Sequence, residues 1–112
     1  MNQNIPIPKN RKPTHPGHFI KKYILSKEKV TQGELATLLD ITRSNLVEVI
    51  NERRGISIQM ARRLGKLVQT GPRFWLNLQN TYDLWIDELE GSDYLKNVRL
   101  LTHQQDLIET AL

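Results

Sequence analysis

Two helix-start signals stand eleven residues apart in this chain, at Thr31 and Thr42, with almost nothing between the helices they open. Thr31 followed by Glu34 is a capping box: the hydroxyl can accept from the third helical N–H, and the carboxylate can reach back to the cap's own N–H. Leu35, Ala36 and Leu39 then form one apolar stripe, Asp40-Ile41 leaves room only for a tight corner, and Thr42 starts the next helix, the third of the chain, with Leu46, Val49 and Ile50 inward. Ile41 is expected to turn inward and fill that corner. So short a connection holds the third helix steeply across the second, and the small Ala36 lets the two approach. The segment Thr31–Asn51 therefore predicts a helix-turn-helix, although the apolar spacing alone would also suit a purely structural hairpin.

The remaining punctuation fills out an all-α chain. Pro6, Pro8 and Pro13 interleaved with Lys9, Arg11 and Lys12 read as an extended basic arm over residues 1–13. Thr14-His15-Pro16-Gly17 opens a first helix with Phe19, Ile20, Tyr23 and Ile24 on one face, fading near Ser26 into a polar link at Lys27, Glu28 and Lys29. Ser57 starts a fourth helix carrying Ala61, Leu64, Leu67 and Val68. Pro72 opens a fifth with Trp75, Leu78, Tyr82, Trp85 and Leu89 at three- and four-residue steps, stopped at Gly91-Ser92. Residues 91–112 form a weakly helical extension, with a helix expected around Gln104 to Thr110. The domain proper is expected to span residues 14–90.

Charge adds a partner to this outline. Residues 1–73 hold 14 basic and 5 acidic side chains, a net +9, whereas residues 74–112 hold 2 and 7, a net −5. A basic N-terminal part favours a polyanion, most simply nucleic acid, and the acidic part is expected to face elsewhere. On the outward face of the third helix, Arg43, Ser44, Asn45 and Glu48 lie at and beyond the end, capped by Thr42, that reaches base edges in a major groove. Gln32 at the start of the second helix is placed to hold a phosphate. Arg53 and Arg54 just after the third helix are expected on the DNA backbone, since guanidinium forks suit pairs of phosphate oxygens.

Other chemistries find little support. The sequence has no cysteine, Glu34 is committed to a cap, no Gly-rich phosphate loop occurs, and no Ser/His/Asp set stands out, so no enzyme and no cofactor are expected. His15 and His18 are spaced to share a metal but lack a third ligand nearby, and no metal site is expected. Trp75, Leu78, Tyr82 and Trp85 are expected in the core or a dimer interface rather than a ligand pocket, because an apolar helical stripe offers a self-complementary two-fold surface. Met1–Lys12 lacks the apolar stretch of a leader, and no apolar run approaches bilayer length, which points to a cytoplasmic protein.

Several of these stretches together resemble one family. Arg11-Lys-Pro-Thr-His-Pro-Gly17, Thr31-Gln-Gly-Glu-Leu-Ala36, Asn51-Glu-Arg-Arg-Gly-Ile-Ser57, Met60-Ala-Arg-Arg-Leu64, Phe74-Trp-Leu-Asn-Leu-Gln79 and Tyr82-Asp-Leu-Trp85 are similar to the HigA-type antitoxins, over roughly residues 11–87. The resemblance implies a five-helix, lambda-repressor-like (XRE-type) helix-turn-helix domain. It also implies a homodimer that represses its own operon at operator DNA and neutralises a cognate HigB-like toxin, a small RelE-like endoribonuclease that cuts ribosome-bound mRNA. A stand-alone helix-turn-helix repressor without a toxin is the alternative. By position, Gln32, Arg43, Ser44, Asn45 and Asn51 match places that contact DNA in such repressors. Three positions depart from the pattern. Asp40 and Glu52 replace usual glycines, which implies left-handed backbone without glycine. Glu48 stands where neutral or basic residues are commoner, and either accepts from a cytosine amino group or weakens the attraction to phosphate.

Overall fold

The Thr-His-Pro-Gly opening folds as a compact helix start. In the computed structural model, which describes residues 11–101 and 109–111, His15 is extended at the N-cap and its Nδ1 accepts from the Gly17 N–H at 2.9 Å. Pro16 takes the first helical position, where its missing N–H costs nothing. Helix α1 then runs as an α-helical segment Pro16–Ile20, a π-helical segment Lys21–Leu25 and a closing α turn Ser26–Glu28. The polar link expected at Lys27–Lys29 is therefore helix as far as Glu28, because nothing before the left-handed Lys29 (φ 54°) breaks it. Ile20 and Ile24 are buried, Phe19 packs against the core, and Tyr23 stays 39% exposed against the Phe19 ring at 4.5 Å.

Helices α2 (Gln32–Leu39) and α3 (Arg43–Ile50) have the caps that their sequences predict. Thr31 Oγ1 accepts from the Glu34 N–H at 3.0 Å, Glu34 Oε1 accepts from the Thr31 N–H at 3.2 Å, and Thr42 Oγ1 accepts from the Asn45 N–H at 3.1 Å. Leu35, Ala36, Leu39, Leu46, Val49 and Ile50 are all buried, and Ile41 packs against them from the corner. Asp40 and Glu52 are left-handed at φ 56° and 59°, as expected of residues standing in for glycine. Asp40 is held by Arg63, whose Nη1 donates to the Leu39 and Asp40 carbonyls at 2.9 and 3.2 Å and so caps α2 from a neighbouring helix.

Helix α4 (Ile58–Leu67), capped by Ser57 accepting from the Met60 N–H at 3.1 Å, buries Met60, Ala61, Leu64 and Gly65. Leu67 is only partly buried, and Val68 lies beyond the helix at 37% exposure, so the inward stripe ends about one turn earlier than expected. Helix α5 (Pro72–Glu90) closes the core with Trp75, fully buried, whose Nε1 donates to Thr70 Oγ1 at 3.0 Å. Gly65 permits the α4–α5 corner: a Cβ there would lie 2.3 Å from the Gly71 carbonyl carbon.

These five helices, with no strand among the described residues, form the expected all-α arrangement. Toward its C-terminus α5 leaves the core, and Leu84 and Leu89 are 66% and 59% exposed. Gly91 ends the helix, and a 3-10 turn Asp93–Leu95 follows, tied back by the Tyr94 hydroxyl donating to Asp87. Residues 109–111 are helical, while the rest of the helix expected around Gln104–Thr110 lies outside the described residues, as does the arm up to residue 10. The arm's last residues lie against the body, with Lys12 Nζ 3.5 Å from Glu52 and 5.8 Å from the Tyr82 ring centre.

Candidate nucleic-acid interface

Helix α3 is anchored from below and behind. Leu46 is fully buried, and α1 lies so close to the C-terminal end of α3 that a Cβ on Gly17 would sit 1.9 Å from the Val49 carbonyl oxygen. That contact explains the glycine of the Thr-His-Pro-Gly opening: it lets one helix backbone rest on another. The opposite face is turned outward. Arg43, Ser44, Asn45 and Asn51 are exposed, as is Thr42 with its hydroxyl engaged in the cap, while Gln32 and Glu48 are half-buried.

Arg53 and Arg54 lie on this same face but do not extend freely. Arg53 Nη1 is 3.2 Å from Glu48 Oε1, and Arg54 Nη1 donates to Asn45 Oδ1 at 3.2 Å. The left-handed Glu52 turns the chain back so that both guanidinium groups fold over α3, and the Arg53 N–H also donates to the Glu48 carbonyl at 3.0 Å. All four side chains were expected to face DNA. Their pairing with one another is a tertiary feature.

Gln79, behind this face, is a positioning residue that the sequence did not single out. It is 8% exposed; its Oε1 accepts from the Ile56 N–H at 2.7 Å and its Nε2 donates to Asp83 Oδ1 at 2.9 Å. It pins the loop carrying Arg53 and Arg54 to α5, and Gly55 leaves it room, since a Cβ there would approach the Gln79 amide to 2.7 Å. The available signal was a polar residue four positions after Trp75, on the inward face of an amphipathic helix. Between α3 and α4 lies an open groove of about 650 Å³ lined by Thr42, Asn45, Arg54, Ser57, Gln59 and Arg63, of which Ser57, Gln59 and Arg63 were also not anticipated.

The aromatic stripe of α5 divides. Trp75 is core, with Phe19 5.4 Å away, and Leu78 packs partly against the core. Tyr82 meets His15 edge-on at 4.8 Å and Trp85 at 6.1 Å, both rings of the pair being half-buried. His15 is buried, and burial lowers its pKa below the ordinary imidazole value; nearby Glu52 and Asp83 oppose the shift and Lys12 adds to it. Its Nδ1 lone pair is already used by Gly17. Among the described residues no helix is long and apolar enough to cross a membrane, and no three metal-ligating side chains come together.

No family model matches the chain. A Haemophilus influenzae protein described as an uncharacterized HTH-type transcriptional regulator is 35% identical over 100 residues, spanning 86% of this chain and 92% of its own length. Antitoxin HigA-1 of Vibrio cholerae is 31% identical over 78 residues, spanning 67% of this chain and 70% of its own. The solved structure of Pseudomonas aeruginosa antitoxin HigA with the higBA promoter superposes with a TM-score of 0.72 at 29% identity, covering 80% of this chain and 98% of that one.

Proposed function

The chain belongs to the HigA-type family of XRE helix-turn-helix antitoxins, and from that premise we propose that it is an antitoxin and autorepressor. In this reading α3 enters the major groove of operator DNA upstream of its own gene, and Arg43, Ser44 and Asn45 meet base edges. Thr42, Gln32, Asn51 and Arg54 fix its register on the backbone, and Glu48, with Arg53 beside it, faces the bases. Residues 14–90 are the DNA-binding domain and residues 91–112 an extension. A two-fold dimer places two α3 helices about 34 Å apart, one turn of DNA, with Leu78, Tyr82 and Trp85 at or beside the dimer contact. The protein partner is a cognate HigB-like toxin. We read the chain as non-catalytic and cytoplasmic.

The observation that carries this reading is the convergence on one exposed face of the capped N-terminal end of α3 and the two loop arginines. The test joins two measurements on the full-length protein. A duplex from upstream of its own gene should shift with the protein, and log affinity should fall linearly with log salt. The product of the adjacent reading frame, a small basic protein in this reading, should co-purify with it. No shift at low salt would refute the repressor half. Shift without co-purification would leave a stand-alone regulator, the reading that the description of the Haemophilus relative favours.

A further inference from the structure

Glu48 is the one acidic side chain of α3, and it stands on a face otherwise made of neutral and basic groups. A bare carboxylate there would be pushed away by the phosphates and by most of the groove edge, since N7 and O6 of guanine, N7 of adenine and O4 of thymine are all acceptors. The structure answers the charge locally. Arg53 Nη1 lies 3.2 Å from Glu48 Oε1, with the guanidinium side chain 63% and the carboxylate side chain 36% exposed. Both groups therefore remain accessible from the outward face while neutralising one another. The pair is not an accident of two flexible chains. The left-handed turn at Glu52 and the bond from the Arg53 N–H to the Glu48 carbonyl fix the arginine backbone over the last turn of α3. The same arrangement occurs one turn earlier, where Arg54 Nη1 donates to Asn45 Oδ1.

Such a pair presents one acceptor, the second carboxylate oxygen, beside the remaining donors of a guanidinium fork. In the major groove a single donor next to two adjacent acceptors is the edge of a C·G pair: the cytosine amino group, then O6 and N7 of guanine. An A·T pair also has a donor, but adenine N7 and thymine O4 flank it on opposite sides and give the fork no adjacent pair of acceptors. We propose that Glu48 and Arg53 act as one reading unit for a C·G base pair in each operator half-site. Glu48 accepts from cytosine, and Arg53 positions the carboxylate, cancels its charge and faces the guanine. The acidic residue then contributes selectivity, because the donor of an A·T pair lies between two acceptors, which repel the carboxylate and leave the fork no adjacent pair to offset its lost hydration.

This unit rests on the operator-binding reading, and its test separates the two. Full-length wild type, E48A, E48Q and R53A, each shown by its urea midpoint to be folded, are used to select duplexes from a randomised pool, and affinities are then measured for single base-pair changes. Wild type should enrich a motif with a C·G position in each half-site, where a change to A·T weakens binding roughly ten- to hundredfold. E48A should lose the preference at that position alone. E48Q should move it toward A·T, since glutamine pairs with adenine, and R53A should flatten the same position. If E48A and E48Q instead bind every duplex more tightly by the same factor with an unchanged motif, the carboxylate only repels phosphate and the proposal is wrong. If wild type enriches no motif at all, the operator-binding reading fails and the pair falls with it.

Discussion

Replacing Gly17 by alanine probes the contact on which the orientation of α3 depends. A Cβ at this position would lie 1.9 Å from the Val49 carbonyl oxygen, 2.8 Å from its carbon and 3.0 Å from the Ile50 Cα. Ordinary contact begins near 3.4 Å, so α1 and α3 must separate by about 1.5 Å, and the obstructing atoms are helix backbone that cannot rotate aside. Opening that gap would disturb the packing of Ile20 and Val49, both buried. Overpacking of this kind costs about 1–3 kcal/mol and occasionally more, and alanine's better helix propensity returns at most about 1 kcal/mol. A net loss of about 2 kcal/mol should lower the urea midpoint by about 1–2 M at ordinary slopes. Gly33→Ala is the internal control. Its Cβ would meet nothing closer than Thr31 Oγ1 at 4.0 Å, so the same substitution should be neutral or slightly stabilising. Urea unfolding followed by circular dichroism, at one protein concentration, measures both. A G17A midpoint equal to or above that of wild type would refute the close-approach argument.

Two further outcomes follow from the same packing. Gln79→Leu removes the acceptor for the buried Ile56 N–H, and leaving that donor unpaired should cost about 1–3 kcal/mol; hydrogen exchange at the Ile56 amide should accelerate, and unchanged protection would show that Gln79 does not hold the loop. The lowered pKa of His15 makes stability depend on pH: between its folded value and about 6.5 the unfolded chain binds more protons, so stability should fall as pH drops below about 6.5 and level off under the folded value. His15→Asn, which retains a capping acceptor without a titrating ring, should lose that slope, and a slope that persists would assign it to other groups.

Local chemistry made several elements legible. The cap at Thr31 with Glu34, the cap at Thr42, proline at the start of α1 and α5, and glycine at the end of α5 act within four residues of themselves, so their effect on the chain can be read without knowing what surrounds it. The left-handed Asp40 and Glu52 were visible only through the family resemblance, where glycine is usual. Lys29 and Gln69 take the same conformation without such a signal.

What surrounds each residue is where sequence reading stopped. The fold class and the outward candidates on α3 were determined by the sequence, because helical period and capping depend on near neighbours. That Gly17 rests on Val49, that Arg63 caps α2, and that Gln79 holds the loop after α3 were decided only when distant segments met. The pairing of Glu48 with Arg53 spans five residues, yet it too depended on the left-handed turn between them and on the packing that fixes α3 below. A charge pattern can mark a surface as fit for DNA, but which groups on it stand free and which hold one another follows from three-dimensional proximity, which sequence spacing does not encode.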